Sequence, residues 1–269
     1  MRALLLALLL ASATAQGQAP AARAPAVPAA VSEGARDILA RVRPALIQIK
    51  GFFGGNTAQA FHGTGFAVAP GGIFMTNYHV VAEQVQFPDK YRLEYRTPDG
   101  KTGALTVLAI DVRHDLAVVR ASSHAPDPVE LQPIVPTKGE RAYAIGFPLD
   151  VGLTITEGVS NGRVEDSFDP RIHYSGAING GMSGGPALNA AGAVIGVNVS
   201  GYRFEQLVSF LVPAEHARAL LARALAQDAK TVALRKNVLS QLKSHASDLL
   251  GALKVTITTQ DIAGYALPA

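Results

Sequence analysis

GGMSGGP occupies residues 180–186, and ALNAAGAVIGVNVS follows it at 187–200. Four glycines around one serine specify a backbone path, because glycine adopts conformations that other residues resist. A Gly/Ser/Pro cluster is by itself only a loop signal. The run also spells G-x-S-x-G, the elbow that lifts a nucleophilic serine between a strand and a helix. That elbow needs a helix straight after the serine. Here a Gly-Pro break comes next, and then an apolar strand pattern. The serine therefore reads as part of a loop between strands.

The same texture continues outward on both sides. From Ala45 to about Ser123, ALIQIKGFF, GTGFAVA, IFMTNYHVV, YRLEYRT, GALTVLAID and LAVVRA are short apolar or alternating runs, parted by GG, PGG and PDG turns. A second set follows, comprising RAYAIGF, LTITEGVS, IHYSG, AVIGVNVS and QLVSFLV. Between the sets HAPDPVELQPIVP carries prolines at 126, 128, 133 and 136 and reads as the crossing between two halves. Short strands at this spacing predict an all-β sandwich or barrel. Two successive β units, about 45–123 and 137–213, fit a duplicated barrel. Helices are expected at the margins. EGARDILARVR follows Ser32 and ends before Pro44, and AEHARALLARALAQ has helical apolar spacing. The tail, residues 226–269, is less clear. Val232, Val238, Leu239, Leu242, Leu249, Leu250 and Leu253 recur at broadly helical spacing, which predicts a helix packed on the body, and KVTITT could form a strand.

Composition bounds the context. MRALLLALLLASATA, residues 1–15, has one positive charge, an apolar run and the small residues Ala13-Thr14-Ala15, the layout of a secretory signal peptide. The apolar run is too short to span a bilayer comfortably, so no stable membrane insertion is expected after cleavage. Residues 16–31, QGQAPAARAPAVPAAV, read as an Ala/Pro-rich linker. An exported chain of 269 residues without cysteine has no disulfide and no Cys-based metal site, but it is long enough to bury a core. The net charge of +3 is spread over both signs, with no basic cluster or aromatic platform, so no nucleic-acid partner is expected.

A serine hydroxyl is a weak nucleophile; it needs an adjacent base, and the base needs an orienting group. The order Ser, Asp, His is disfavoured: His216 has no aspartate between residues 184 and 215 to serve it, and the Asp228–His245 pair would still need the missing helix. The order His, Asp, Ser fits. His79 sits in IFMTNYHVVAE, where an apolar run gives way to Thr76-Asn77. Asp115 sits in RHDLAVVR, directly ahead of an apolar strand, with Asp111 as the rival acid. Ser183 closes the set. His62, His114, His124 and His173 lack metal-ligand spacing, so no metal is expected.

IFMTNYHVV, HDLAVVR, YAIGFPLDVGLTITEGVSNGRV, INGGMSGGPALNAAGAVIGVN and SFLVPAEHARALL together resemble the protease domain of the HtrA/Deg trypsin-like serine proteases, from about Ala35 to Leu225. The resemblance implies a protease domain over 32–225, built as two six-stranded β-barrels with the site between them, flanked here by a short N-terminal helix and C-terminal helices. It implies no cofactor and polypeptide substrates and leaves oligomerisation open, while the signal-peptide layout implies a periplasmic or secreted location. It makes His79 the general base, Asp115 its orienting acid and Ser183 the nucleophile. The N–H groups of Gly181 and Ser183 become the oxyanion hole. Ala177, Ile178, Asn179, Val197 and Asn198 fall in the walls of the substrate pocket. No acid lies between Arg171 and Phe204 to pair with Lys or Arg there, which favours small aliphatic residues before the cut. Two departures stand out. The 44 residues after Leu225 are too few for the PDZ domain that usually follows. Met182 takes the place of the aspartate that captures a cleaved N-terminus in trypsin-type zymogens. The alternative is a catalytically silent protease-fold binding or chaperone-like protein, which would show an eroded triad.

Overall fold

The computed structural model describes residues 31–148, 151–165, 167–201, 207–226, 233–253, 259–262 and 265–268. The expected signal peptide and nearly all of the linker lie outside the described residues.

Two closed six-stranded antiparallel barrels dominate the chain. The first contains β1 (Leu46–Phe53), β2 (Gln59–Ala69), β3 (Ile73–Thr76), β4 (Tyr91–Arg96), β5 (Thr102–Asp111) and β6 (Leu116–Ala121), ordered β1-β2-β3-β6-β5-β4. The second contains β7 (Arg141–Gly146), β8 (Thr154–Arg163), β9 (Ile172–Tyr174), β10 (Pro186–Asn189), β11 (Val194–Gly201) and β12 (Ser209–Pro213), ordered β7-β8-β9-β12-β11-β10. Adding six to each strand number of the first barrel gives the second, so the topology is duplicated. Closure removes the free sheet edges that short strands would otherwise expose.

Each barrel fills its own interior. Ile47, Ile49, Phe74, Val80 and Val119 pack in the first, and Ala144, Ile172, Tyr174, Met182 and Leu211 in the second. A third cluster is the seam between them, joining Phe66, Met75 and Leu116 to Ile145, Leu188 and Val212. Helix α1 (Val31–Val42) seals the seam with Ile38 and Val42, and α3 (Ala214–Ala226) with Ala217 and Leu220. The proline-rich crossing runs alongside: Val129 N–H bonds the Ala67 carbonyl of one barrel, and Gln132 N–H the Val194 carbonyl of the other.

Two sequence readings change. The apolar strand of IFMTNYHVV does run out at Thr76, but the rest of the run is helical: α2 (Tyr78–Gln86) begins after Asn77. Asparagine is poor in strands and good before helices, although its side chain here serves another residue, as described below. The tail does form a helix, α4 (Leu234–Ala252), but beyond Leu234 its leucines do not pack inward. Val238 is buried, whereas Leu239, Leu242, Leu249 and Leu250 face solvent. Of KVTITT only Thr259 is described; it opens β13 (Thr259–Ile262), which pairs with β14 (Tyr265–Pro268).

Candidate active site

His79 lies in the first turn of α2, and Asp115 lies in the turn between β5 and β6. Asp115 holds the histidine twice. Its Oδ1 accepts the His79 backbone N–H at 2.9 Å, and its Oδ2 lies 2.7 Å from His79 Nδ1. A carboxylate on Nδ1 makes that nitrogen the donor and leaves Nε2 with the lone pair of a base. The His79 side chain is half exposed while Asp115 is 20% exposed, so the pair opens to solvent on the histidine side. Asp115 has φ +57°, a left-handed conformation uncommon outside glycine but tolerated by aspartate. The Asn77 side chain fixes it by donating Nδ2–H to the Asp115 carbonyl at 2.8 Å. Asp111 is engaged elsewhere: its carboxylate takes the backbone N–H and ring Nδ1 of His114 and the Arg223 guanidinium.

The Ser183 loop comes from the second barrel and is clamped by the first. Thr64 of β2 donates its N–H to the Ser183 carbonyl at 2.8 Å and its hydroxyl to the Gly181 carbonyl at 2.7 Å. The same hydroxyl accepts the Phe147 N–H at 3.0 Å. From behind, the fully buried Asn198 donates its amide to the Ile145 and Met182 carbonyls at 3.0 and 3.3 Å. Two glycines are obligatory. Gly181 has φ +97°, and a Cβ there would strike the Phe147 carbonyl and the His62 ring. Gly184 has φ +83°, and a Cβ would strike Thr76 Oγ1 and the Thr64 carbonyl. The latter contact seats the serine loop against the end of β3, three residues before His79. Among the described residues, neither the Gly181 nor the Ser183 N–H is spent on a backbone acceptor. Ser183 Oγ itself donates to the Val199 carbonyl at 2.7 Å.

A histidine backed by a carboxylate on one barrel and a glycine-framed serine loop from the other are thus brought together, the loop seated against β2 and the end of β3. Residues 63–197 match the trypsin-like peptidase domain. The chain belongs to that family. It is 32% identical over 203 residues to mitochondrial serine protease HTRA2 of Bos taurus, covering 70% of this chain and 42% of that protein. It is 34% identical over 172 residues to a probable periplasmic DegP-like serine endoprotease of Chlamydia pneumoniae, covering 61% and 34%. The chain therefore spans about two fifths or less of the length of these curated relatives. The serine endoprotease of Yersinia pestis shares the fold with a TM-score of 0.60 at 22% identity, over 71% of this chain and 66% of that one.

The five residues expected to wall the pocket differ in what they present. Ala177 is exposed and its carbonyl accepts the Thr156 hydroxyl at 2.9 Å; Asn179 is exposed beside it. Ile178 is 9% exposed and packs with Met182 in the second barrel. Val197 and Asn198 have no exposed surface, so their side chains build the scaffold behind the loop. Thr64 and Asn77 were not singled out from sequence. Thr64 had a signal, a polar residue between two glycines in an apolar run, the pattern of close backbone approach. Among the described residues no cluster of three or more His, Cys, Asp or Glu could hold a metal ion. No described helix is long and apolar enough to cross a membrane.

Proposed function

We propose that the chain is an exported, HtrA-like serine endopeptidase acting on unfolded polypeptides through His79, Asp115 and Ser183. The double hold of Asp115 on His79, set opposite the glycine-framed serine loop, is the observation that carries the reading. In this mechanism His79 Nε2 takes the Ser183 proton while Oγ bonds the peptide carbonyl carbon. The resulting oxyanion meets the N–H groups of Gly181 and Ser183, each such donor being worth roughly 2.7–4 kcal/mol in the transition state. The imidazolium then protonates the leaving amine, the C–N bond breaks, and water releases the acyl-enzyme by the same route in reverse. Asp115 keeps the tautomer and stabilises the cation.

The Ser183 Oγ bond to the Val199 carbonyl favours a second reading, a silent site. It is met by a one-bond rotation: turning χ1 to another staggered well releases the hydroxyl from the Val199 carbonyl, as the mechanism requires. The residue before the cut is proposed to be Val, Ala, Ile or Leu, in a shallow apolar pocket near Ala177 and Ile178, because a buried unpaired Lys or Arg would be costly there. Cut sites mapped by mass spectrometry in denatured casein, with Ser183→Ala as blank, test both points. Cleavage absent from both proteins favours the silent reading. Dominant cutting after Lys, Arg, Asp or Glu refutes the pocket.

A further inference from the structure

The turn that carries Asp115 is held from outside the barrels. Residues 110–115, IDVRHD, form the end of β5 and the turn that leads to β6. On this turn Gln241 of α4 makes a two-point contact: its Oε1 accepts the Val112 N–H at 2.7 Å, and its Nε2 donates to the Ile110 carbonyl at 3.0 Å. One side-chain amide thus pairs with the backbone on both sides of Asp111, as a neighbouring strand would. The two bonds require opposite polarity, which fixes the orientation of the amide. Asn237, one helical turn back, accepts the other Nε2 proton at 2.9 Å and holds the amide in place. Arg113 of the turn reaches Asp248 of α4 at 3.0 Å and Asp169 of the β8–β9 loop at 2.9 Å. The turn ends at Asp115, whose left-handed backbone costs energy unless its surroundings enforce it.

The attachment of α4 is polar. Its buried apolar side chain is Val238, with Leu234 partly covered, while Leu239, Leu242, Leu249 and Leu250 lie exposed. An element with so little buried apolar surface sits at the low end of local stability. The family match ends at residue 197, far short of this helix.

We propose that Gln241 is a positioning residue for Asp115, so that docking of the tail helix α4 sets the turnover of the site. The proposal rests on the triad reading above. With Gln241 in place the turn presents both Asp115 oxygens to His79. Without it the turn relaxes, the carboxylate loses alignment, and kcat falls while substrate binding, made elsewhere, is kept.

The test uses the full chain with Gln241→Met, which keeps the length of the side chain but neither hydrogen bond. The expected result is a fall in kcat of roughly 10- to 100-fold, with KM within about twofold, measured well below the melting temperature of the variant. The downfield proton resonance of the His79–Asp115 hydrogen bond should weaken or vanish in its NMR spectrum. Gln241→Glu keeps the acceptor for Val112 and should restore part of kcat. Leu250→Gln, on the exposed face, should change nothing. A folded Gln241→Met enzyme with unchanged kcat and an intact resonance overturns the proposal, provided Asp115→Asn is inactive. If Asp115→Asn turns over normally, the triad reading fails and the role of Gln241 falls with it.

Discussion

Two aspartate–histidine pairs stand four residues apart and are built alike. Asp115 takes the backbone N–H of His79 at 2.9 Å and its Nδ1 at 2.7 Å; Asp111 takes the backbone N–H of His114 at 3.1 Å and its Nδ1 at 3.0 Å. Their surroundings differ. The His79 side chain is 50% exposed, whereas that of His114 is 18% exposed. The His114 ring stacks on His216 with centroids 3.9 Å apart, and Arg223 shares its aspartate. A carboxylate on Nδ1 prepares a base, but chemistry needs the far nitrogen open to a nucleophile. The second pair spends its geometry on holding the turn and on docking α3.

Removing the members of the first pair, or the serine they are proposed to serve, should have the largest effect. We expect Ser183→Ala and His79→Ala each to abolish nearly all peptidase activity with the fold intact, because such residues act as a unit. Asp115→Asn should lower kcat by about 10⁴-fold, through loss of tautomer control. Asp111→Asn should leave most of the activity and cost stability instead. A dead Asp111→Asn beside an active Asp115→Asn would reverse the roles of the two pairs.

Thr64→Val should come next. The isosteric change removes the hydroxyl that holds the Gly181 carbonyl and accepts the Phe147 N–H. We expect about a tenfold loss in kcat from a loosened oxyanion hole, and roughly 1–3 kcal/mol of stability from the buried groups left unpaired. Steady-state kinetics and chemical denaturation measure the two separately.

The smallest effect should be a pH dependence of stability around the second pair, from Asp111 and the neighbouring His216. Burial, and then the adjacent His114, lower the pKa of His216. The unfolded chain therefore binds this proton more readily than the folded protein. Stability is full above about pH 6.5 and declines as pH falls through that value. For Asp111, burial acts upward, but the hydrogen bonds and charge of His114, with Arg223, outweigh it and hold the carboxyl well below its usual range. Its contribution is complete above about pH 4 and is lost on further acidification. Calorimetry should show Tm falling in both windows, and His216→Phe should remove the upper one. A Tm that rises on acidification through the histidine range would contradict this assignment.

Much of this architecture is written locally in the chain. The barrels follow from alternation and Gly/Pro turns, and the serine loop from a glycine pattern that few other folds need. Misreadings arose where local pattern meets tertiary demand. β10 is four residues behind a Gly-Pro break and shows no alternation of its own. Asp115 is favoured in sequence by standing directly ahead of an apolar strand, but Asp111 remains its rival until the turn sets Asp115 on His79. The leucines of α4 have the spacing of a packing face, yet the body is gripped by Gln241 and Asp248, whose partners lie about 130 residues away. Spacing along one helix carries no information about such a partner.

The most direct test of the account is labelling of the full chain by a fluorophosphonate probe, read by intact and peptide mass spectrometry. The account predicts one covalent adduct, on Ser183, formed much more slowly in His79→Ala and absent from Ser183→Ala. No adduct on the folded protein, or an adduct on another serine, would contradict it.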